Sequence, residues 1–585
     1  MRRATWLGTM MAMLMTGGGI CLAQETVTNL QAFCRDGQVF LTWREAPLPT
    51  NTTLKVYSHH TPITDANRHE AVTLAEHIHP HSARDWWRDR ASFDKNAPQD
   101  APVGFVITTG DAELPPDSGL HVHTVRPELA GARFYAVTTV AADGREDALR
   151  LGVNSLSAPV TASVAQRSVV WLDTPEKAPR QGSAKGKALV LSLHGRGGGR
   201  PRDNSRAALN CLYFADATQG WREGLPFKFQ LSVYPDRIQI APQERIWVGR
   251  PVLESRDARD HCPTAQSFYT GYNTQIWRSI DTPELVADLY QERYLLGLMD
   301  WAQRWLGTDP NRTYLTGTSM GGSGSVSMAL HYPDRIAAVL AHVPIYAYTW
   351  KKGCNGGTSA SRLLCMVGPI NQRPAKLVDG RDLLEYLDGV KAIGRTTPDL
   401  PPIFATNGRM DGSIPWANNP PFYTAAQQAR QALAVYWNNG DHGMSSQAPA
   451  DVKDWYRLFR HYRLDASFPV FTHNSDDRNF GNGDWKDGDL IGWLNRGLSW
   501  DVLADEPDTY AIRLAASHPD ITYPVRFDLT LRRRQRFLVQ PGDRLNVSFG
   551  QDTRTLTIPA DGLLTIPSLA LPDATPVTLT LTLTR

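Results

Sequence analysis

Residues 313–331 read TYLTGTSMGGSGSVSMALH and contain the motif that most constrains the architecture of this 585-residue chain. A short apolar run leads into G-x-S-x-G at Gly317 to Gly321, and a helical pattern follows. Small flanking residues permit a sharp strand-to-helix turn with a strained serine backbone. The turn would raise the Ser319 hydroxyl above a sheet edge, and the Met320 amide would lie at a helix N-terminus, where an oxyanion is stabilised. We therefore predict Ser319 as a nucleophile and Met320 as an oxyanion donor.

Two later loops offer the base and the acid that a serine hydroxyl needs before it becomes a good nucleophile. Asp411 lies in G-R-M-D-G-S-I-P and His442 in N-N-G-D-H-G, each directly after an apolar run. Asp441 is an alternative acid, but it is adjacent to His442, and neighbouring side chains on one loop point apart. His342 is an alternative base, but it precedes the acid loop. We predict that Asp411 and His442 complete a catalytic triad.

A second oxyanion donor is expected after an early strand. The run Ala188 to Leu193 continues into H-G-R-G-G-G, whose glycines let the backbone approach a substrate. The amide of Arg196 is the predicted donor, and His194 is predicted to order the loop.

Several apolar runs without alternation predict parallel strands that are buried on both faces. They are residues 188–193, 237–240, 313–316, 337–341, 403–406 and 432–437. Between them, residues 285–306 have apolar positions near helical spacing. Strands that alternate with helices predict an α/β fold with a doubly wound parallel sheet.

Residues 167–464 resemble the α/β-hydrolase superfamily. The resemblance rests on the G-x-S-x-G turn at Ser319, on the H-G-x-G-G element, and on the chain order Ser319, Asp411, His442. The similarity is to its secreted-esterase and prolyl-oligopeptidase-like branch. This resemblance implies a carboxylic-ester hydrolase that works through an acyl-enzyme and needs no metal or organic cofactor. The substrate would be an ester-bearing small molecule or a decorated polysaccharide. The alternative is an oligopeptidase-like serine peptidase, although the N-terminal part is too short for a β-propeller. Residues 167–462 hold the whole triad and are expected to be active alone on small soluble esters.

The N-terminal part divides into two segments. Residues 1–23 read as a signal peptide, with a basic start and a short apolar run that ends in Cys-Leu-Ala, which predicts a secreted or periplasmic protein. The run is shorter than a bilayer span, so no membrane anchor is predicted. Residues 24–166 resemble a fibronectin type III domain at Leu41-Thr-Trp43, Lys55-Val-Tyr57 and Phe134-Tyr-Ala-Val137.

Residues 465–585 turn strand-like again and predict a C-terminal accessory β-sandwich. They begin with a loop rich in Asp, Asn and Gly at 475–489. Turn chemistry explains such a composition, and calcium binding is the alternative. The spacing of an EF-hand loop is absent, and the sequence predicts no metal site.

Two insertions, at 243–282 and 346–391, are rich in aromatic residues. Aromatic side chains beside a hydrolase site can stack on sugar or aromatic rings. The predicted substrate contacts are Trp247, Tyr348, Trp350 and Trp416, and the alternative is that these side chains pack the insertions.

Charge and cysteine content exclude some partners and leave others open. The formal net charge is +2, from 61 basic and 59 acidic residues, so the sequence offers no footprint for nucleic acid. Export permits disulfides, and Cys354–Cys365 and Cys211–Cys262 are both plausible pairs whose formation the sequence leaves open.

Overall fold

The computed structural model describes most of the chain, with several gaps. The described residues are 26–35, 38–49, 52–78, 80–89, 102–104, 107, 112–125, 127–164, 170–171, 180–195, 210–212, 227–242, 244–247, 264–274, 282–352, 354, 356–443 and 447–584. The predicted signal peptide and Arg196 lie outside them.

The secondary structure is dominated by strands. In chain order they are β1 Val27–Arg35, β2 Gln38–Glu45, β3 Thr53–His59, β4 Val72–Ile78, β5 Arg84–Asp89, β6 Pro102–Gly104, β7 Ser118–Thr124, β8 Gly131–Val140, β9 Val160–Ala162, β10 Val170–Trp171, β11 Ala188–Leu193, β12 Asn210–Leu212, β13 Phe227–Val233, β14 Arg237–Pro242, β15 Arg245–Trp247, β16 Thr264–Gln266, β17 Tyr272–Asn273, β18 Leu285–Asp288, β19 Thr313–Thr318, β20 Ala338–His342, β21 Ala375–Leu377, β22 Ile403–Gly408, β23 Leu433–Asn438, β24 Phe468–Thr472, β25 Gly492–Leu494, β26 Leu498–Asp505, β27 Thr509–Ala516, β28 Val525–Arg532, β29 Arg544–Phe549, β30 Asp552–Thr557, β31 Thr565–Leu571 and β32 Val577–Thr584. The α-helices are α1 Tyr290–Trp301, α2 Met320–His331, α3 Leu364–Val367, α4 Leu383–Tyr386, α5 Gly389–Ile393, α6 Asn419–Gln428, α7 Ala450–Lys453 and α8 Trp455–Leu458.

The described part of the N-terminal region has two larger antiparallel sheets, in the orders β1-β2-β7 and β4-β3-β8-β9, and β5 and β6 form a separate antiparallel pair. Both sheets contribute side chains to one core, among them Trp43, Val56 and Tyr135. Alternating apolar residues produce this arrangement, because successive side chains of a strand point to opposite faces. The fibronectin type III assignment stays a prediction, since many β-sandwich families share two sheets and one core.

The central sheet has ten strands in the order β10-β12-β13-β14-β11-β19-β20-β22-β23-β25. The pairs from β14 to β23 are parallel, and the pairs outside them are antiparallel. Leu189 and Leu191 face one apolar cluster, while Ala188 and Val190 face another on the opposite side of the sheet. Burial on both faces explains why these strands read as continuous apolar runs, and the predicted parallel sheet of an α/β fold is confirmed.

One predicted helix is shorter than the sequence pattern indicated. Residues 285–288 form β18, which pairs with β17 and β21, and α1 begins at Tyr290. A four-residue apolar segment fits either state, and pairing with two neighbouring strands decides it here. α1 continues into a π-helical turn at Ala302–Leu306, which ends at Gly307 in the left-handed conformation with φ 80°.

The C-terminal region contains two more antiparallel sheets, β24-β28-β31 and β26-β27-β32-β29-β30, that share one core. However, β25 pairs antiparallel with β23 and is the last strand of the central sheet. The predicted boundary at 464/465 stays a prediction, and the predicted accessory region contributes this strand to the central sheet. β25 is only three residues long, which is too short to give a recognisable sequence pattern.

A buried arginine of the C-terminal region, Arg532, makes hydrogen bonds to main-chain carbonyl groups of the central region. Arg532 is 1% exposed and donates to the carbonyl oxygens of Thr396 at 2.6 Å, Ala429 at 2.6 Å and Arg430 at 2.9 Å. Its Nη1 also lies 2.9 Å from Asp399 Oδ1. The guanidinium thus satisfies carbonyl groups just beyond the end of α6, which have no partner within the helix.

The cysteine and membrane predictions have different outcomes. Cys354 is a free thiol, so the pair with Cys365, which the sequence left open, is not formed in this structure. Cys262 lies outside the described residues, and its pairing with Cys211 stays a prediction. None of the described helices has the length and apolar character needed to cross a membrane.

Candidate active site

The turn between β19 and α2 has the strain that its sequence predicts. Ser319 has φ 59° and ψ −116°, a conformation that non-glycine residues rarely adopt. Its amide donates to His342 O at 2.8 Å, and its carbonyl oxygen accepts from the amide and the hydroxyl of Ser323, both at 2.9 Å. These bonds fix the turn and leave the Ser319 hydroxyl half-buried at the carboxyl edge of the sheet.

Glycine is required at one position after Ser319 because the end of β11 passes very close. A Cβ atom on Gly321 would lie 2.0 Å from Leu193 O and 2.9 Å from His194 O. On the other side, a Cβ atom on Gly195 would lie 3.7 Å from Ser319 Cβ. The loop that begins the H-G-x-G-G element therefore lies directly against the turn.

The predicted acid and base are brought together. His442 Nδ1 and Asp411 Oδ2 are 2.7 Å apart, and the aspartate side chain is 2% exposed, whereas the histidine is 33% exposed. Asp411 Oδ1 accepts the amides of Ser413 at 2.7 Å and Ile414 at 2.9 Å. The carboxylate is thus held by its own loop and orients the imidazole.

Ser319, Asp411 and His442 share one edge of the sheet, because each follows the carboxyl end of a parallel strand. No hydrogen bond joins Ser319 to His442 among the described residues. Catalytic hydrogen bonds are commonly long before substrate binds, so this separation is compatible with a triad.

The alternative residues are occupied elsewhere. Asp441 Oδ1 accepts the Gly443 amide at 2.8 Å, which is turn geometry, and the side chain is exposed. His342 Nδ1 lies 2.8 Å from Thr406 Oγ1, and burial lowers the pKa of His342. Among the described residues, Asp441 makes no hydrogen bond to a histidine, and His342 makes none to a carboxylate.

The loop predicted to hold an oxyanion donor is contacted by residues that the sequence analysis did not connect with it. Met320 begins α2, so its amide lies in the first turn, where amides have no partner within the helix. The His194 amide donates to the Tyr269 hydroxyl at 2.8 Å, and the Glu244 amide donates to His194 Nε2 at 3.1 Å. Tyr269 and Glu244 therefore hold the loop that begins at His194 through hydrogen bonds. They lie in the 243–282 insertion, where no local pattern indicates this contact.

The predicted aromatic contacts occupy different environments. Trp350 is 44% exposed, whereas Trp416 is 1% exposed and packs against Tyr423 and Trp437. Tyr348 is half-buried, with its ring 6.0 Å from that of Phe268. The side chain of Trp247 lies outside the described residues. Trp416 is therefore a core residue, and among Tyr348, Trp350 and Trp416 the side chain of Trp350 is the most exposed.

The loop at 475–489 has turn chemistry. Asp484 Oδ1, Asp487 Oδ2 and Asp489 Oδ2 accept the amides of Lys486, Asn482 and Asn479 at 3.0, 2.9 and 2.8 Å. Carbonyl oxygens of this loop accept hydrogen bonds from the guanidinium of Arg409. The described residues contain no group of three or more His, Cys, Asp or Glu side chains that could hold a metal ion.

Comparison with known families identifies the chemistry. Residues 201–375 match the family model described as "Putative esterase". The chain is a carboxylic-ester hydrolase. The match covers the Ser319 turn and ends before the loops of Asp411 and His442, so the catalytic roles of Asp411 and His442 stay predictions.

Solved structures similar to the enzyme include several esterases. An S-formylglutathione hydrolase from Agrobacterium tumefaciens is 15% identical, with a TM-score of 0.30, over 48% of this chain and 87% of that one. A ferulic acid esterase is 13% identical, with a TM-score of 0.26, over 47% and 84%. An esterase from Thermogutta terrifontis is 16% identical, with a TM-score of 0.26, over 48% and 80%. These scores are low, so the functional argument rests on the site itself. Comparison with curated proteins gives no match.

Proposed function

We propose that the enzyme hydrolyses carboxylic esters through an acyl-enzyme on Ser319. The observation that carries the proposal is the 2.7 Å contact between His442 Nδ1 and Asp411 Oδ2, at the sheet edge where Ser319 occupies its strained turn. A serine, a histidine and an orienting carboxylate are the groups that acyl transfer by a serine nucleophile needs.

The protonation states follow from this contact. Asp411 Oδ2 accepts a hydrogen bond from His442 Nδ1–H, so the proton stays on Nδ1, and Nε2 has a lone pair and serves as the general base. His442 takes the Ser319 proton while the hydroxyl oxygen attacks the ester carbonyl. It then gives that proton to the leaving alcohol, and a tetrahedral intermediate precedes each bond cleavage.

The amides of Met320 and Arg196 are the proposed oxyanion donors. Support for Met320 comes from its position at the start of α2, where the helix dipole adds to the hydrogen bond. Support for the other donor comes from Gly195, which brings the preceding loop against Ser319. Water then attacks the acyl-enzyme with His442 again as base, and the acid product leaves.

For the substrate we propose an ester on a ring-bearing or sugar-linked group that the enzyme meets outside the cytoplasm. The position of Trp350 supports a ring-bearing substrate. Its indole is 44% exposed and lies on the 346–391 insertion. The hydroxyl of the adjacent Thr349 donates to Asn418 Oδ1 at 3.0 Å, which holds this part of the insertion beside the acid loop. Met410, next to Asp411, is 40% exposed. We infer that these two exposed apolar side chains contribute to a surface on which a ring of the substrate can stack. The esterase match favours ester over peptide bonds, so the peptidase alternative is not carried further.

The test is a comparison of kcat/KM across substrate classes. We expect acetylated or feruloylated oligosaccharides and p-nitrophenyl acetate to be cleaved faster than triglyceride emulsions or prolyl-nitroanilides. Trp350→Ala should lower kcat/KM for the feruloylated substrate about 2- to 10-fold, the range of an aromatic contact, and leave p-nitrophenyl acetate unchanged. A prolyl amide cleaved faster than every ester would contradict the proposal.

A further inference from the structure

We propose that Arg409 positions the catalytic acid, Asp411. Its guanidinium supplies the positive charge that the carbonyl groups of residues 479–489 (loop 479–489) surround, so this C-terminal loop helps to hold Asp411 in place. The inference rests on the proposed role of Asp411. Arg409 itself touches no substrate, so it is a positioning residue.

The guanidinium of Arg409 is surrounded by main-chain oxygens of that loop. The residue is fully buried, at 0% exposure. Its Nε donates to Trp485 O at 3.0 Å, Nη1 to Asp489 O at 2.8 Å, and Nη2 to Asp484 O at 3.3 Å and to Asp487 O. Four carbonyl dipoles that point inward in a buried space repel one another unless a positive charge lies between them.

The loop's own aspartates surround that charge without binding it directly. Their carboxylate oxygens accept amides of the same loop, and these bonds set the turns that aim the carbonyl groups inward. Burial lowers the pKa of Arg409, while Asp487, Asp489 and Asp484 raise it. A guanidinium remains protonated in proteins, so the loop keeps its cation at any physiological pH.

On its other side, Arg409 belongs to the loop that carries Asp411. Its amide donates to Asn438 O at 2.9 Å, and the Met410 amide donates to Gly440 O at 3.0 Å. The guanidinium carbon lies 4.9 Å from the ring centre of Trp416, which follows the acid loop. The Arg409 side chain therefore fills the space between loop 479–489 and the acid loop, and its backbone contacts the segment that leads to His442.

The acid loop is held from the opposite side by the 346–391 insertion. Cys354 Sγ donates to Met410 O at 3.4 Å, and Arg362 Nη2 donates to Ser413 O at 3.1 Å. A Cβ atom on Gly483, in the C-terminal loop, would lie 3.4 Å from Ala417 Cα. The acid loop thus lies between two supports. Without Arg409 the acid loop would be held only by the 346–391 insertion, and Asp411 would shift relative to His442.

The first variant is Arg409→Ala. A displacement of about 1 Å at a catalytic group costs about 100-fold in rate, so we expect kcat on p-nitrophenyl acetate to fall between about 10- and 100-fold. KM should change less than about threefold, because the side chain is buried away from substrate. Guanidinium at about 50 mM, far below denaturing concentrations, should bind in the vacated space and raise the kcat of Arg409→Ala at least about tenfold.

Arg532→Ala is the matched control. Arg532 is also a buried arginine that binds main-chain carbonyls between the central and C-terminal regions, but its partners are Thr396, Ala429 and Arg430, away from the acid loop. This variant should lower the melting temperature and keep the kcat of the folded enzyme, without any response to guanidinium. A merely structural role for Arg409 would make the two variants behave alike.

A kcat for Arg409→Ala that equals that of the Arg532→Ala control, or the absence of guanidinium rescue, would overturn the proposal. If the alanine variant is insoluble, Arg409→Lys replaces it, and wild-type kcat for that variant would overturn the proposal too. Asp411→Ala separates the two levels of inference. Full activity of that variant would refute the proposed function, whereas an inactive Asp411→Ala with a fully active Arg409→Ala would refute only the role of Arg409.

Discussion

Replacing Ser319 with alanine is expected to reduce kcat on p-nitrophenyl acetate by about 10⁴- to 10⁶-fold, because the variant has no oxygen to form the acyl-enzyme. The fold should persist. The Ser319 side chain makes no cap hydrogen bond to α2, and the turn is held by the main-chain atoms of Ser319 and by Ser323. The measurement is steady-state kinetics on both proteins, with thermal unfolding as the control.

Two readings would contradict this expectation. Retention of more than about a tenth of wild-type kcat would exclude Ser319 as the nucleophile, since loss of a triad member leaves far less. A large fall in melting temperature would attribute the lost activity to unfolding. In that case Ser319→Cys, which keeps a nucleophilic atom at nearly the same volume, would separate the two causes.

Ending the chain at Tyr462 is expected to abolish useful activity, although the sequence alone predicts an active fragment from 167 to 462. The shortened chain loses β25, so the edge of β23 next to the His442 loop is left unpaired. It also loses the four carbonyl oxygens that surround Arg409, which would leave a buried charge without partners. Breaking a buried charged contact in this way costs about 3–5 kcal/mol.

We expect kcat/KM of soluble shortened chain to fall at least about 10³-fold. A shift of Asp411 accounts for about 100-fold, and the lost stability accounts for the rest. The measurement is kcat/KM on p-nitrophenyl acetate per mole of soluble chain, beside the full-length enzyme. A soluble shortened chain with kcat/KM near the full-length value would show that the C-terminal region is an independent module.

The parallel core could be predicted from the sequence because burial on both faces leaves a local pattern. Residues 188–193 read as one apolar run and form β11 over the same six positions. The Ser319 turn could be predicted in the same way, since neighbouring backbone requires its glycines: a Cβ atom on Gly321 would lie only 2.0 Å from Leu193 O. These features depend on residues close together in the chain.

Features that depend on distant residues could not be predicted. Trp416 reads as a surface aromatic beside the acid loop, yet it is 1% exposed because Tyr423, Trp437 and Arg409 cover it. Arg409 lies within the predicted acid motif, but its partners are about eighty residues later in the chain. Nothing local marks either contact, so the link between the acid loop and the C-terminal region emerges only from the folded chain.

Covalent labelling by a fluorophosphonate ester tests the acyl-enzyme mechanism most directly, because the reagent reacts only with a serine activated by its base and oxyanion donors. Intact mass spectrometry and peptide mapping would locate the adduct while residual ester hydrolysis is followed. We predict one adduct per chain, on Ser319 within residues 313–331, formed in proportion to the loss of activity and absent from Ser319→Ala. An adduct on another serine that tracks the loss of activity, or full inactivation with Ser319 unmodified, would contradict the account.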